Sequence, residues 1–252
     1  MGVTFWATAL SHAIMSLTKP LHIRFTFKTL LVFQFFFFAM HELHELAHIV
    51  TGRLMCGAWG TRDFNVWRLC ETCNVPYPEI ATFAGPVLTF IMLWLGRYWL
   101  KHGAATSIRS FGLVMIFGNM PFGRLYMAAM GSGDEMWGLR SLFLNAGHSN
   151  LLLLRIINFV VVAAICLPPL VVAYKAIGNK RKILVFIALL IIPLMLDTII
   201  LLMLLNGLLA TGFLNHVYLM GTPLLIQLWF INCIAIVIAG YRCLTTFAIE
   251  KT

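Results

Sequence analysis

The chain has 252 residues, of which 61% are hydrophobic and only 11% charged, and it carries a formal net charge of +9. Soluble domains hold closer to half apolar and a quarter charged residues, so this excess marks a chain whose solvent is lipid. The basic residues stand between apolar runs, where they set topology rather than bind nucleic acid, and no stretch is long and polar enough for a separate soluble domain.

Residues 2–17 are fairly apolar, contain His12 and lack a small-residue cleavage site, so no cleavable signal peptide is evident. They read as an interfacial helix, with a short extra span as the alternative. A span needs about 20 apolar residues, and six segments qualify: about 29–51, 78–100, 108–130, 151–174, 183–206 and 222–246. The expected fold is an all-α, polytopic transmembrane bundle forming one domain over 1–252, with room for β structure in an outer loop.

Basic groups set the orientation. Lys19, Arg24 and Lys28 precede the first span, Arg97, Lys101 and Arg109 surround the second connection, and Lys175, Lys180, Arg181 and Lys182 crowd the fourth. Arg242 and Lys251 end the chain, whereas the Leu214–Thr222 connection has no Lys or Arg. The positive-inside rule then puts both termini inside. Cys56, Cys70 and Cys73 fall together in the first outer loop, where disulfides form. Cys-x-x-Cys is also half of a zinc site, but with no histidine nearby a bridge or free thiols is the better reading. Phe35–Phe38 is lipid-facing or packing material.

The first span contains His41-Glu42-Leu43-His44-Glu45-Leu46-Ala47-His48. Ionisable side chains inside a membrane helix cost a few kcal/mol each unless they face an interior and find partners. A metal is an economical partner for neutral imidazoles. His44 and His48 stand at i and i+4, so both rings project from one face a turn apart and converge on one ion. Glu45 is rotated about 100° from His44, beside the ion and placed to take a proton from water. His41 shares the face but lies about 10 Å along the axis from His48, so it reads either as a partner to the ligands or as a packed neutral histidine. Glu42 points further round, toward a neighbouring helix or the mouth of a cavity.

A hydrolytic zinc needs a third protein ligand and an open position. The remaining acids are Asp63, Glu71, Glu79, Asp134, Glu135, Asp197 and Glu250. The first and third spans run in the same direction, and Asp134 and Glu135 follow Gly131-Ser132-Gly133 at a depth matching His44 and His48. Asp134 is favoured. Glu135 and Asp197 stay open as alternatives, Asp197 because it stands alone in an apolar span.

Three stretches together resemble the site-two protease family of intramembrane zinc metalloproteases: His44-Glu45-Leu46-Ala47-His48 with Ile49–Arg53, Ala84-Gly85-Pro86, and Asn119-Met120-Pro121 followed by Asp134. The resemblance covers roughly the first three spans. It implies a catalytic core over about 29–150 and three accessory spans over 151–252. It also implies a Zn2+ cofactor held by His44, His48 and Asp134, Glu45 as the catalytic acid/base, and Asn119 holding the substrate backbone or assisting at the oxyanion. Asp134 lies further from Asn119 than the family spacing, and Glu135 stands where the family has glycine. The expected substrate is a transmembrane segment of another membrane protein, and the expected location is the bacterial inner membrane, in contact with lipid and with no nucleic acid.

Three other classes compete. A histidine-box di-iron oxygenase needs more clustered histidines, whereas His12, His22, His102 and His216 are scattered singly. A proton- or metal-coupled transporter would use His41, Glu42, His44, Glu45 and Asp197 as a relay. A silent scaffold would keep zinc for stability and tolerate loss of Glu45.

Overall fold

The computed structural model describes residues 19–145 and 150–250; residues 2–17, with their expected helix, lie outside the described residues. Long helices follow from the long apolar runs. In chain order they are α1 (Phe27–Cys56), α2 (Glu79–His102), α3 (Thr106–Gly118), α4 (Pro121–Ala129) and α5 (Asp134–Asn145), then α6 (Leu151–Ala176) and α7 (Lys182–Asp197). A π-helical stretch, Thr198–Leu205, joins α7 to α8 (Asn206–Ala210), and α9 (Leu224–Ala239) and α10 (Tyr241–Thr245) complete the set. Among the described residues, four helices are long and apolar enough to cross a membrane: α1, α2, α6 and the composite Lys182–Ala210.

α1 starts at Thr26, whose hydroxyl accepts from the Thr29 amide and so satisfies one of the amides a helix start leaves free. Of its most apolar window 67% is buried inside the protein, against 39%, 33% and 22% for the other three long helices. It is the most enclosed of the four and packs against α2, α3, α7, α9 and α10. The phenylalanine run is largely packing: Phe36, Phe37 and Phe38 are buried, Phe36 against Phe111 and Phe38 against Trp229.

The third and sixth expected spans take a different form from single long helices. The third is broken into α3 and α4 at Asn119–Met120. Pro121 has no amide to donate, and Met120 sits at φ 52 in the left-handed region, so the hydrogen-bond ladder stops there. The sixth is α9, with only 16 residues. The fifth carries the π-helical stretch, which opens directly after Asp197.

Short strands tie the ends of the bundle. β1 (Leu21–Ile23) pairs antiparallel with β6 (Ala248–Glu250), and Leu21 also bridges to Ile177. Arg109 locks this end, donating to the Glu250 carboxylate and to the Lys19 carbonyl. At the opposite end, the loop after α1 is partly β: β2 (Thr61–Arg62) and β3 (Trp67–Arg68) form a hairpin, and β4 (Val217–Leu219) pairs with β5 (Thr222–Pro223) nearby. Cys56, the last residue of α1, is disulfide-bonded to Cys73 with 5.0 Å between their Cα atoms, and Cys70 is free.

Candidate metal centre

His44, Glu45 and His48 lie on α1 a little past its middle, all three buried. Their ligand atoms fall within 4.8 Å of one another, a grouping able to hold a metal ion. The three partly exposed cysteines Cys56, Cys70 and Cys73 form a second such grouping.

Each imidazole is fixed by its Nδ1. His48 Nδ1 is 2.7 Å from the Ala81 carbonyl of α2, which can only accept, so Nδ1 carries the proton. His44 Nδ1 is 2.9 Å from the Thr89 hydroxyl, which spends its own proton on the Gly85 carbonyl at 3.0 Å. Thr89 therefore accepts from His44. Both Nε2 atoms are then bare acceptors in the neutral rings, and they face each other across 3.1 Å. Two lone pairs at that distance repel unless a cation stands between or beside them, and the Arg124 guanidinium lies 2.7 Å from His44 Nε2.

Asp134 lies beside this group. Its Oδ2 is 3.1 Å from His44 Nε2 and 3.8 Å from His48 Nε2. A tetrahedral zinc with ligands at about 2.0–2.1 Å has donor–donor edges of roughly 3.3–3.4 Å. The three observed separations bracket that value, so the donors fit a tetrahedral ion with one face open. The backbone delivers Asp134 here through a tight turn in which Gly131 and Gly133 adopt φ values of 67° and 89°, a region where side-chain-bearing residues are disfavoured.

α2 forms the wall behind the ligands. A Cβ on Gly85 would collide with His48 Nε2 and with Cε1 and Nε2 of His44, so only glycine lets the helix approach this closely. On the other side, Trp67 of β3 stacks on the His48 ring at 4.8 Å and 9°. The hairpin is held in place by the buried Arg62–Glu42 ion pair at 2.7 Å and by the Phe64 amide donating to Asn206 at 3.2 Å. Glu42 thus meets the loop between α1 and α2, not another helix. A cleft of about 360 Å³ opens between β3, the start of α2 and Trp137 of α5. Among the described residues β3 has a strand partner, β2, on one side only.

Glu45 is buried, and its Oε2 has no hydrogen-bond partner among the described residues. Asp197 does not join the donor set; its Oδ2 is 2.8 Å from His41 Nδ1. Glu135 points its Oε2 toward Arg124 at 3.7 Å. Asn119 is buried at the α3–α4 break, where its amide donates to the Met115 carbonyl at 2.6 Å. No hydrogen bond links Asn119 to His44, Glu45, His48 or Asp134 among the described residues.

Arg124 is the site residue that sequence reasoning passes over. Its Nη1 donates to Asp134 Oδ2 at 3.0 Å, and its Nη2 is 2.7 Å from His44 Nε2. A signal existed in the sequence, since an arginine within an apolar segment requires a buried partner. Comparison of the chain with known families, with curated proteins and with solved structures finds no match.

Proposed function

We propose that this protein is a zinc metalloprotease that hydrolyses peptide bonds in or near transmembrane segments of other membrane proteins. The observation that carries the reading is the convergence of His44 Nε2, His48 Nε2 and Asp134 Oδ2 at 3.1–3.8 Å, with both Nδ1 atoms committed elsewhere, on a helix buried among apolar residues. Two imidazoles and a carboxylate with an open fourth position are the donor set of hydrolytic zinc. A zinc ion held there supplies Lewis acidity, acidifying water and polarising a carbonyl.

The chain's own residues do the rest. Glu45, within 4.8 Å of both ligand nitrogens, accepts the proton of the attacking water on a carboxylate oxygen and returns it to the departing amine nitrogen. Arg124 supplies positive charge beside the position where the carbonyl oxygen becomes anionic. A substrate helix must unwind first, because its carbonyls are shielded by their own hydrogen bonds. The unpaired side of β3, a strand whose residues line the cleft, offers backbone groups to such an extended segment. Six crossings with both termini inside accord with the distribution of basic residues, α3 and α4 together making the third, and the inner membrane of a bacterium is the location this reading favours.

The test is the zinc content of the purified protein in detergent for wild type, His44→Ala, Asp134→Ala and Asp197→Ala. The expected result is about one zinc per chain, lost in the first two variants and kept in the third. Glu45→Gln then retains zinc and loses cleavage of membrane substrates. Folded wild-type protein without zinc would sink the reading. A proton- or metal-coupled transporter, for which the buried His41–Asp197 pair speaks, would then take its place.

A further inference from the structure

We propose that Cys70 is an exchange partner for the Cys56–Cys73 disulfide, and that migration of the bond to Cys70–Cys73 unfastens the hairpin from the end of α1. Three observations meet here. The sulfur atoms of Cys56, Cys70 and Cys73 all lie within 4.8 Å of one another. Cys70 to Cys73 forms a turn closed by the Cys73 amide donating to the Cys70 carbonyl at 3.0 Å, and such turns hold their first and fourth Cα atoms under about 7 Å, within the range a disulfide spans. All three cysteines are partly exposed, so the thiol and the bridge are open to solvent.

The reaction is internally balanced. The Cys70 thiolate attacks the Cys73 sulfur; the Cys70–Cys73 bond forms as the Cys56–Cys73 bond breaks, and the departing Cys56 thiolate takes up the proton that Cys70 gave to solvent. No oxidant or reductant is consumed.

The two linkages differ in what they hold. Cys56–Cys73 closes a loop with a sequence separation of 17, and that loop contains the whole hairpin with Arg62 and Trp67. Cys70–Cys73 closes only its own turn and leaves the end of α1 free. After exchange the hairpin keeps its non-covalent ties, the Trp67–His48 stack, the Arg62–Glu42 pair and the Arg62–Thr222 and Phe64–Asn206 bonds, but loses its covalent tie to α1. The thiol chemistry stands independently of the proposed protease activity; only its bearing on access to the metal centre rests on that reading.

The experiment is alkylation of the non-reduced wild-type protein in detergent at mildly alkaline pH with N-ethylmaleimide, followed by mass spectrometry of the peptides carrying Cys56 and Cys70. Exchange labels a fraction of chains on Cys56 in place of Cys70. Label on Cys70 alone overturns the proposal. In parallel, trypsin cleavage after the exposed Arg68 is timed in Cys56→Ser, which holds the exchanged linkage, and in Cys70→Ser, which cannot exchange. Cleavage roughly tenfold faster in Cys56→Ser is expected for a segment whose local opening has become easier, and equal rates overturn the release step. Neither readout depends on zinc or on a substrate, so their failure and the failure of the protease reading are separate results.

Discussion

His48 donates its Nδ1 proton to the Ala81 carbonyl over 2.7 Å, and this one bond decides which nitrogen of the ring faces His44 and Asp134. The acceptor belongs to the backbone of α2, so the orientation of His48 on α1 depends on where the neighbouring helix sits. The same helix positions His44 through Thr89. Partners of this kind raise the basicity of a ligating imidazole and hold its plane.

Thr89→Val keeps the shape of the side chain but removes the oxygen that accepts from His44. Zinc affinity is expected to fall roughly 10–100-fold, read by competition with a chelator of known affinity, with the fold retained. Unchanged affinity would mean that Thr89 does not set the His44 ring.

Gly85→Ala places a methyl group against both imidazoles. The helices must separate or the rings must turn, so zinc content is expected to drop while the bundle loses about 1–3 kcal/mol, the usual cost of overpacking. Metal analysis and thermal unfolding in detergent measure the two effects on one preparation. Full zinc occupancy in this variant would show that the rings have another resting place.

The Arg62–Glu42 pair is buried on both sides. Arg62→Met strands the Glu42 carboxylate and is expected to cost about 3–5 kcal/mol, whereas Arg62→Met combined with Glu42→Leu recovers much of that loss. The comparison is the thermal midpoint of the two variants. A double variant no more stable than the single one would argue that the pair fixes the hairpin by geometry that apolar residues cannot replace.

Asp197→Asn weakens the partner of His41 without touching the donor set. Zinc should stay at the wild-type level while the thermal midpoint falls. Asp134→Asn should lose zinc and also lower the thermal midpoint, since it neutralises the carboxylate that accepts from the largely buried Arg124.

The histidine pair and Glu45 are legible from sequence because i, i+4 spacing is a local property of a helix, and a helix was the sole reading of so apolar a run. Asp134 is legible for a different reason: chain direction and distance from the basic flanks place it at the depth of the histidines. Thr89, the Ala81 carbonyl and Trp67 are not legible, because each reaches the site across an interface whose register no single segment encodes. Pro121 gives the α3–α4 break a local cause, but with the third span read as continuous Arg124 is not carried to the site. Asp197 drew attention as a lone acid in an apolar span. Its partner, His41, could be assigned only once α1 and α7 were laid side by side.

The pairing of β1 with β6 has a consequence for how the protein is made. Leu21–Ile23 precede α1 to α10 in the chain, and their partner Ala248–Glu250 follows all of them. The near end of α1 therefore cannot be clasped while the chain is growing. The helix that carries His44 and His48 stays loose at one end until the strand that follows the other helices has been made.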